Sequence, residues 1–271
     1  MIPLLPDLSR RSMELEDMDR PDCALSQLRR TVAQYFWINF LFSASRRLIE
    51  QHLFPAIAAR PALEYTWLDI GAGGCDLPVW VARTARQRGW KLRITALDND
   101  PRILAWAREA VRSEPGITLV QGSADELAAL GEFDFIFSNH VLHHLADDQL
   151  RPLIASVNRQ ARLGFVLNDL QRARSSYVAY FLFASIFLHR SLALRDGLLS
   201  IRRGFLESEL RALAGESLLA AGAFVFTTPP GRIGLARPAI SRHQTEAKSD
   251  GAAGTLNIAE HPVHSYGGLH S

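Results

Sequence analysis

Two kinds of hydrophobic pattern follow one another along the chain. From Ala24 to Ile57 apolar residues recur at three- and four-residue steps, at Leu25, Leu28, Val32, Tyr35, Phe36, Phe40 and Leu41. That is the period of helix with one buried face. Beyond Pro61 the pattern changes to short apolar runs. Tyr65–Ile70, Leu92–Leu97, Ile117–Gln121, Phe133–Ser138 and Gly164–Leu167 read as buried strands. Between them, Pro78–Arg88, Pro101–Arg112, the short Ala124–Leu130 and Gln149–Arg162 read as helices. Pro78 suits a first helical turn, and Gly89 suits the far end. Strands and helices alternating at this spacing predict an α/β fold with a doubly wound, mostly parallel sheet. A helical stretch over residues 171–215 interrupts the alternation. After it, Ala223–Thr227 and Arg232–Ala236 flank Thr228-Pro229-Pro230-Gly231 and read as a closing antiparallel hairpin.

This pattern divides the chain. Residues 1–22 are polar and acidic, with prolines at 3, 6 and 21, and are expected to form a mobile arm. Residues 23–62 form a helical extension, and 63–237 the α/β domain, with 171–215 as a helical cap inserted in it. Residues 238–271, poor in apolar side chains, are expected to stay unfolded, and the tail histidines His243, His261, His264 and His270 to be idle.

Composition narrows the function classes. Of 271 residues, 48% are hydrophobic and 21% charged, enough for one large packed domain. A formal charge of +2 is too small a bias to argue for nucleic acid. Two cysteines, Cys23 and Cys75, build neither a disulfide framework nor a zinc site. The start of the chain lacks the basic and apolar stretches of a signal peptide. The longest apolar run, Tyr177–Leu188, falls short of the roughly 18–20 residues that span a bilayer. A cytoplasmic location is expected. A helix apolar all round wants burial on several sides. That run is therefore either a packed cap or a lid that lines a greasy pocket with Tyr35-Phe36-Trp37. It lacks the charged face of an interfacial helix.

The stretch WLDIGAGGCDLP, residues 67–78, carries the chemistry. It joins the first strand to a helix, where ligands of open α/β sheets bind. Glycines let the backbone approach a ligand closely, and the helix start offers free N–H groups. Dinucleotides and S-adenosylmethionine both fit. The dinucleotide fingerprint G-x-G-x-x-G lacks its third glycine here, because Gly71, Gly73 and Gly74 are followed by Cys75, Asp76 and Leu77. Asp69 before the glycines would repel a pyrophosphate but pair with the ammonium of a bound amino acid. Asp98, ending the second strand, suits ribose hydroxyls, which both cofactors carry.

With LDIGAGG, ALDNDPRIL, VQGSADEL and FDFIFSNHVLHHL in this order, residues 63–168 resemble the class I S-adenosylmethionine-dependent methyltransferases. The later hairpin is similar to the sixth and seventh strands of that fold. The helical extension and inserted cap resemble small-molecule methyltransferases of bacterial secondary metabolism and quinone-type pathways. The resemblance implies a seven-stranded Rossmann-like sheet and S-adenosylmethionine as cofactor. It implies that Asp69, Gly71, Ala72 and Gly73 line the methionine part, and that Asp98 accepts the ribose hydroxyls. Asn99 would lie beside the adenine, Ser123 and Ala124 along its edge, and Asn139 at the methionine end. Many relatives have an acid at the position of Ala124, so Ser123, a backbone carbonyl or Asp125 would serve the adenine amine. Cys75 stands where glycine is usual and crowds the turn.

Three histidines follow the fourth strand, at the ligand end of the sheet. A phenol or enol acceptor must lose a proton around methyl transfer, and histidine is suited to take it near neutral pH. His140 is the first candidate base or substrate contact. His143 is the second, although VLHHL also suits packing and capping, to which His144 is assigned. No carboxylate or cysteine completes a metal set with them at ligand spacing, so no metal is expected. Arg203, in Ser200-Ile201-Arg202-Arg203-Gly204-Phe205, would neutralise a phenolate or carboxylate, or else pair with Asp196 or cap a helix. The expected activity is O- or C-methylation of a small apolar, aromatic metabolite of polyketide-phenol type. RNA or protein methylation, and a non-catalytic cofactor-binding module, are the alternatives.

Overall fold

The structure, a computed structural model, describes residues 6–239. The tail expected to stay unfolded and its histidines lie outside the described residues, apart from 238 and 239. Seven strands form one sheet: β1 (Glu64–Ile70), β2 (Lys91–Asp98), β3 (Ile117–Gln121), β4 (Phe133–Asn139), β5 (Ala161–Leu170), β6 (Phe224–Thr228) and β7 (Arg232–Arg237). Their order is β3-β2-β1-β4-β5-β7-β6, with β7 antiparallel to both its neighbours and the other pairings parallel. The switch point, where the chain leaves β1 for β2 on one side and β4 on the other, is the site expected for a ligand.

Among the described residues, ten α-helices surround the sheet: α1 (Leu25–Phe42), α2 (Ser45–His52), α3 (Phe54–Ala59), α4 (Asp76–Gln87), α5 (Pro101–Val111), α6 (Asp147–Gln160), α7 (Arg174–Phe187), α8 (Ala193–Arg203), α9 (Glu207–Ala214) and α10 (Glu216–Ala220). The period-2 alternation of the strands sorts side chains between two cores. Leu68, Ile70, Ile136, Phe165 and Leu167 pack on one face with Leu153 and Val157 of α6. Trp67, Phe135, Phe137 and Val166 pack on the other with Ile49, Leu53, Phe54 and Ile57. Local signals start the helices. Asp100 caps α5, accepting from the Arg102 amide at 2.8 Å, with Pro101 in the first turn. Ser123 and Glu126 form a capping box for the short turn Ala124–Leu130.

Three expectations change. The helical extension is three helices, broken where Ala44 takes a left-handed φ of 57° and again at Leu53. The apolar run in α7 is not buried all round. Tyr177, Ala184 and Leu188 are buried, whereas Val178, Leu182, Ile186 and Phe187 face outward. Finally, the arm expected to be mobile is a strap from residue 7 onward. The Arg11 guanidinium donates to the carbonyls of Arg203 and Leu145, and pairs with Asp147. Glu16 is buried, and the amides of Asp17 and Met18 donate to the Asp196 carboxylate at 2.9 and 3.0 Å. Charged partners far along the chain, invisible to local composition, hold this acidic segment down.

Candidate active site

A cavity of about 1100 Å³ opens at the carboxyl ends of β1 and β4. Its walls come from the glycine turn, the loop after β4, α1, α7 and the strap, which contributes Glu16 and Met18.

The turn between β1 and α4 is built by its glycines. Gly71 (φ 70°) and Gly73 (φ 55°) are left-handed, and the amides of Gly71 and Ala72 donate to the Leu97 carbonyl at 2.8 and 3.0 Å. A Cβ on Gly71 would collide with the Val141 side chain, so this glycine is needed for packing. A Cβ on Gly73 would meet nothing within 4 Å; that glycine faces open space. Cys75 also takes a left-handed φ of 62° and is fully buried, the conformation that makes glycine the easier residue there.

Asp69, next to last in β1, lines the cavity, 2% exposed, and its Oδ2 has no hydrogen-bond partner among the described residues. Burial, reinforced by Asp76 and Asp98, pushes its carboxyl well above the usual range. An unpartnered buried acid is costly unless a ligand completes it. An α-ammonium group would do so, and the open backbone at Gly73 leaves room for it. By this test the residues fit the amino-acid end of S-adenosylmethionine.

The loop after β4 brings Asn139, His140 and His143 to the same cavity. Asn139 Oδ1 accepts from Asn168 at 2.9 Å and from the Arg232 guanidinium at 3.1 Å. His140 has a left-handed φ of 61°, held by its amide bonding the Asn168 carbonyl at 3.0 Å. Burial, then the positive charge of Arg232, holds its imidazole well below its ordinary range, so it is neutral and can accept a proton. His143 differs. Its Nδ1 lies 2.7 Å from Asp169 and its Nε2 3.5 Å from Glu16. Burial pulls its pKa down, but the two carboxylates outweigh burial and raise it to about 9. His143 is thus an imidazolium clamped between acids, which corrects the expectation of a second base. His144 Nδ1 pairs with Asp19 at 2.9 Å.

The carboxylate missing from any metal set in the sequence is supplied by folding. Glu16, His143 and His144 offer ligand atoms within 4.8 Å of one another. The ion pairs just described satisfy these groups, with Ser200 Oγ donating to Glu16 at 2.7 Å.

Other expected residues lie elsewhere. Arg203 does not line the cavity: its guanidinium donates to the carbonyls of His143 (2.9 Å), Glu14 (2.8 Å) and His144 (3.0 Å), tying strap to loop. It cannot also neutralise a substrate. Asp98 lies beneath the turn, accepting from the Gly73 amide at 2.8 Å and the Asp100 amide at 3.0 Å. Asn99 is exposed beside it. Ser123 spends its hydroxyl capping the turn that Ala124 begins. These four sit outside the large cavity, at the neighbouring ends of β2 and β3.

The sequence reading missed Arg232, which is 2% exposed, lines the cavity, and has an unpartnered Nε. Burial lowers its pKa to about 10, so it is a cation at neutral pH. An arginine starting the otherwise apolar strand Ile233-Gly234-Leu235-Ala236 was the available signal. The Tyr35 hydroxyl is also buried, unpartnered and at the cavity wall.

Residues 68–164 match the family model described as a methyltransferase domain. The match covers just over a third of the chain, and the sheet order is that of the Rossmann-like methyltransferase fold, whose cofactor is S-adenosylmethionine. Among solved structures, the chain is similar to the plantazolicin methyltransferase BamL in complex with a triazolic desmethylPZN analog and SAH. The identity is 14%, covering 73% of this chain and 71% of that one, with a TM-score of 0.50. It is also similar to a SAM-dependent methyltransferase from Aquifex aeolicus, at 15% identity over 71% of this chain and 93% of that one, TM-score 0.45. No curated protein sequence matches. No helix among the described residues is long and apolar enough to cross a membrane.

Proposed function

We propose that this cytoplasmic enzyme methylates oxygen or carbon on a small, apolar, aromatic acceptor of polyketide-phenol type. The observation that carries the reading is the cavity. Its volume of about 1100 Å³ exceeds the roughly 300–1,000 Å³ of ordinary ligand pockets, which suits two molecules side by side. Its α1 and α7 walls are aromatic, with Tyr35, Phe36, Phe40, Phe42, Tyr180 and Phe183. The BamL structure, whose ligands are a desmethylPZN analog and SAH, is a small-molecule precedent for the fold.

S-adenosylmethionine supplies an electrophilic methyl group when bound. On this reading Asp69, Gly71, Ala72, Gly73 and Asn139 hold its amino-acid end, and Asp98, Asn99, Ser123 and Ala124 serve its nucleoside end. The aromatic wall orients the acceptor and excludes water. Alignment of this kind is worth of order 7–11 kcal/mol. His140, neutral and in the wall, accepts the acceptor's proton at a ring nitrogen. Arg232, with a free Nε and a charge close enough to depress His140, steadies the resulting oxyanion. Turnover of labelled S-adenosylmethionine against lipophilic phenols, quinols and tRNA tests the proposal. Methylation of a phenol or quinol is expected; labelled tRNA at low and moderate salt with unlabelled phenols would overturn it.

A further inference from the structure

Helices α1 and α7 carry an outward surface that, apart from Phe36 and Phe40 at its edge, the methyl-transfer reading does not use. They run antiparallel: Phe42 meets Phe183, with ring centroids 5.0 Å apart, while Gln34 and Arg30 reach the carbonyls of His189 and Arg190. Ile38, Ala184 and Leu188 close the seam between them. On the outside, Phe36, Trp37, Phe40, Leu41, Val178, Leu182, Ile186 and Phe187 are 38–63% exposed. Scattered exposed apolar residues are ordinary, but eight on the outer faces of two packed helices exceed that background and mark an interaction surface.

Charge selects the partner. Residues 25–42 and 174–190 contain no Asp or Glu. Arg29 shares a helical face with Phe36 and Phe40, and Arg30 shares one with Trp37 and Leu41, at seven- and four-residue steps. On α7, Arg174, Val178, Leu182 and Ile186 follow at four-residue steps, and Arg190 comes just after the helix. All four arginines are exposed. Apolar stripes framed by arginines, without acids, fit a surface that is greasy inside and anionic at its edge. Long arginine side chains can reach phosphates while their stems lie along apolar surface. A second copy of this chain fits poorly, since a two-fold pairing sets the same patch, with the same arginines, against itself.

The patch is continuous with the cavity. Phe36 and Phe40 are exposed and also line the cavity, as does Trp106 on α5. Arg46 stacks over Phe40 and Trp80 beside them, 4.6 and 5.2 Å from the ring centroids. We propose that the α1–α7 face docks on an anionic lipid bilayer, so that the cavity mouth draws a lipophilic acceptor directly from the membrane. The source of the acceptor rests on the methyltransferase reading above; the docking face does not.

The test is sedimentation of the full chain with vesicles of phosphatidylcholine alone or mixed with phosphatidylglycerol, with S-adenosylhomocysteine affinity measured in parallel. Four arginines, each favouring an anionic surface, should give at least roughly tenfold tighter binding to the mixed vesicles, weakened by salt. Trp37→Glu and Leu182→Glu, outside the cavity wall, should each cut vesicle binding by about tenfold and leave S-adenosylhomocysteine affinity unchanged. Wild-type protein that binds S-adenosylhomocysteine but no vesicles would overturn the proposal. So would variants that bind vesicles like wild type, or a dimer that these substitutions dissolve without any lipid binding. Vesicle binding without S-adenosylhomocysteine binding would support the docking face and overturn the reading of the cavity instead.

Discussion

At the scale of residues, two neighbouring histidines differ in role because their partners differ. His140, half-buried in the cavity wall and feeling the charge of Arg232, is neutral; His143 pairs with Asp169 and Glu16 and is charged. A general base typically contributes roughly 10²–10⁴-fold, and a neutral imidazole of lowered basicity belongs at the low end. His140→Ala is therefore expected to slow turnover about 10²-fold near neutral pH, with S-adenosylhomocysteine affinity nearly unchanged. The slowing should shrink as pH rises and the acceptor ionises unaided; full activity at neutral pH would remove His140 from the chemistry. His143→Gln should act on stability instead, because it strands two buried carboxylates. Breaking such a pair costs about 3–5 kcal/mol, on the order of 10 °C in melting temperature for a domain of this size. The pH dependence follows from the same pair. The folded-state pKa of His143 is raised from 6.5 to about 9, so its contribution is complete below pH 6.5 and lost as pH rises through 9. Glu16 is lowered from 4.5 to about 2, its burial outweighed by the histidines and Ser200, so its contribution is complete above pH 4.5 and lost as pH falls through 2. Asp196, raised by burial from 3.8 to about 6, destabilises the fold increasingly from about pH 3.8 and in full above about 6. Thermal melts should show the wild-type advantage over His143→Gln largest between about pH 4.5 and 6.5 and fading toward 9.

At the scale of elements, the glycine turn separates packing from ligand approach. Gly71→Ala forces a Cβ into Val141 at φ 70° and should leave little folded protein. Gly73→Ala meets no atom within 4 Å and carries only the left-handed strain of φ 55°, about 1–2 kcal/mol. It should fold, yet lose roughly tenfold or more in S-adenosylhomocysteine affinity by calorimetry, since its Cβ enters the space a ligand would use. Equal affinity for Gly73→Ala and wild type would mean the turn does not approach the ligand. The elements themselves were largely legible in the sequence. Ile117–Gln121 forms over the expected residues; the strands at Tyr65 and Phe133 differ by one residue at one end, and that at Leu92 by one residue at each end. A buried parallel strand is a continuous apolar run, and its turns are punctuated by glycine and acid. β5 runs from Ala161 to Leu170, well past the expected Gly164–Leu167. Its polar end, Asn168-Asp169, reads as loop until Arg232, His143 and Ser43 are seen to partner it. Arg203 was misjudged for the same reason: its neighbours in sequence say nothing of the three carbonyls that consume it.

At the scale of the molecule, the strap closes one wall of the cavity, and its attachments come from distant parts of the chain. Glu16 meets His143 and Ser200, Asp17 and Met18 meet Asp196, and Arg102 on α5 donates to the carbonyls of Met18 and Arg20. Glu16 and Met18 share the cavity with Asp69 and Gly73, so a ligand there touches strap and sheet together. Anything that binds the closed form must stabilise it: ligand at 100 times its dissociation constant adds about 2.7 kcal/mol. Endoproteinase Asp-N supplies the readout, because Asp19 is exposed while its segment is held down. Cleavage there requires the strap to lift, and saturating S-adenosylhomocysteine should slow it by up to about a hundredfold. The melting temperature should rise by several degrees over the same titration. Glu16→Gln should speed cleavage without ligand and blunt the protection, because it removes one of the two charges that hold His143 as an imidazolium. A rise in melting temperature with unchanged cleavage before Asp19 would mean that the ligand binds the sheet alone and the strap is not part of the site.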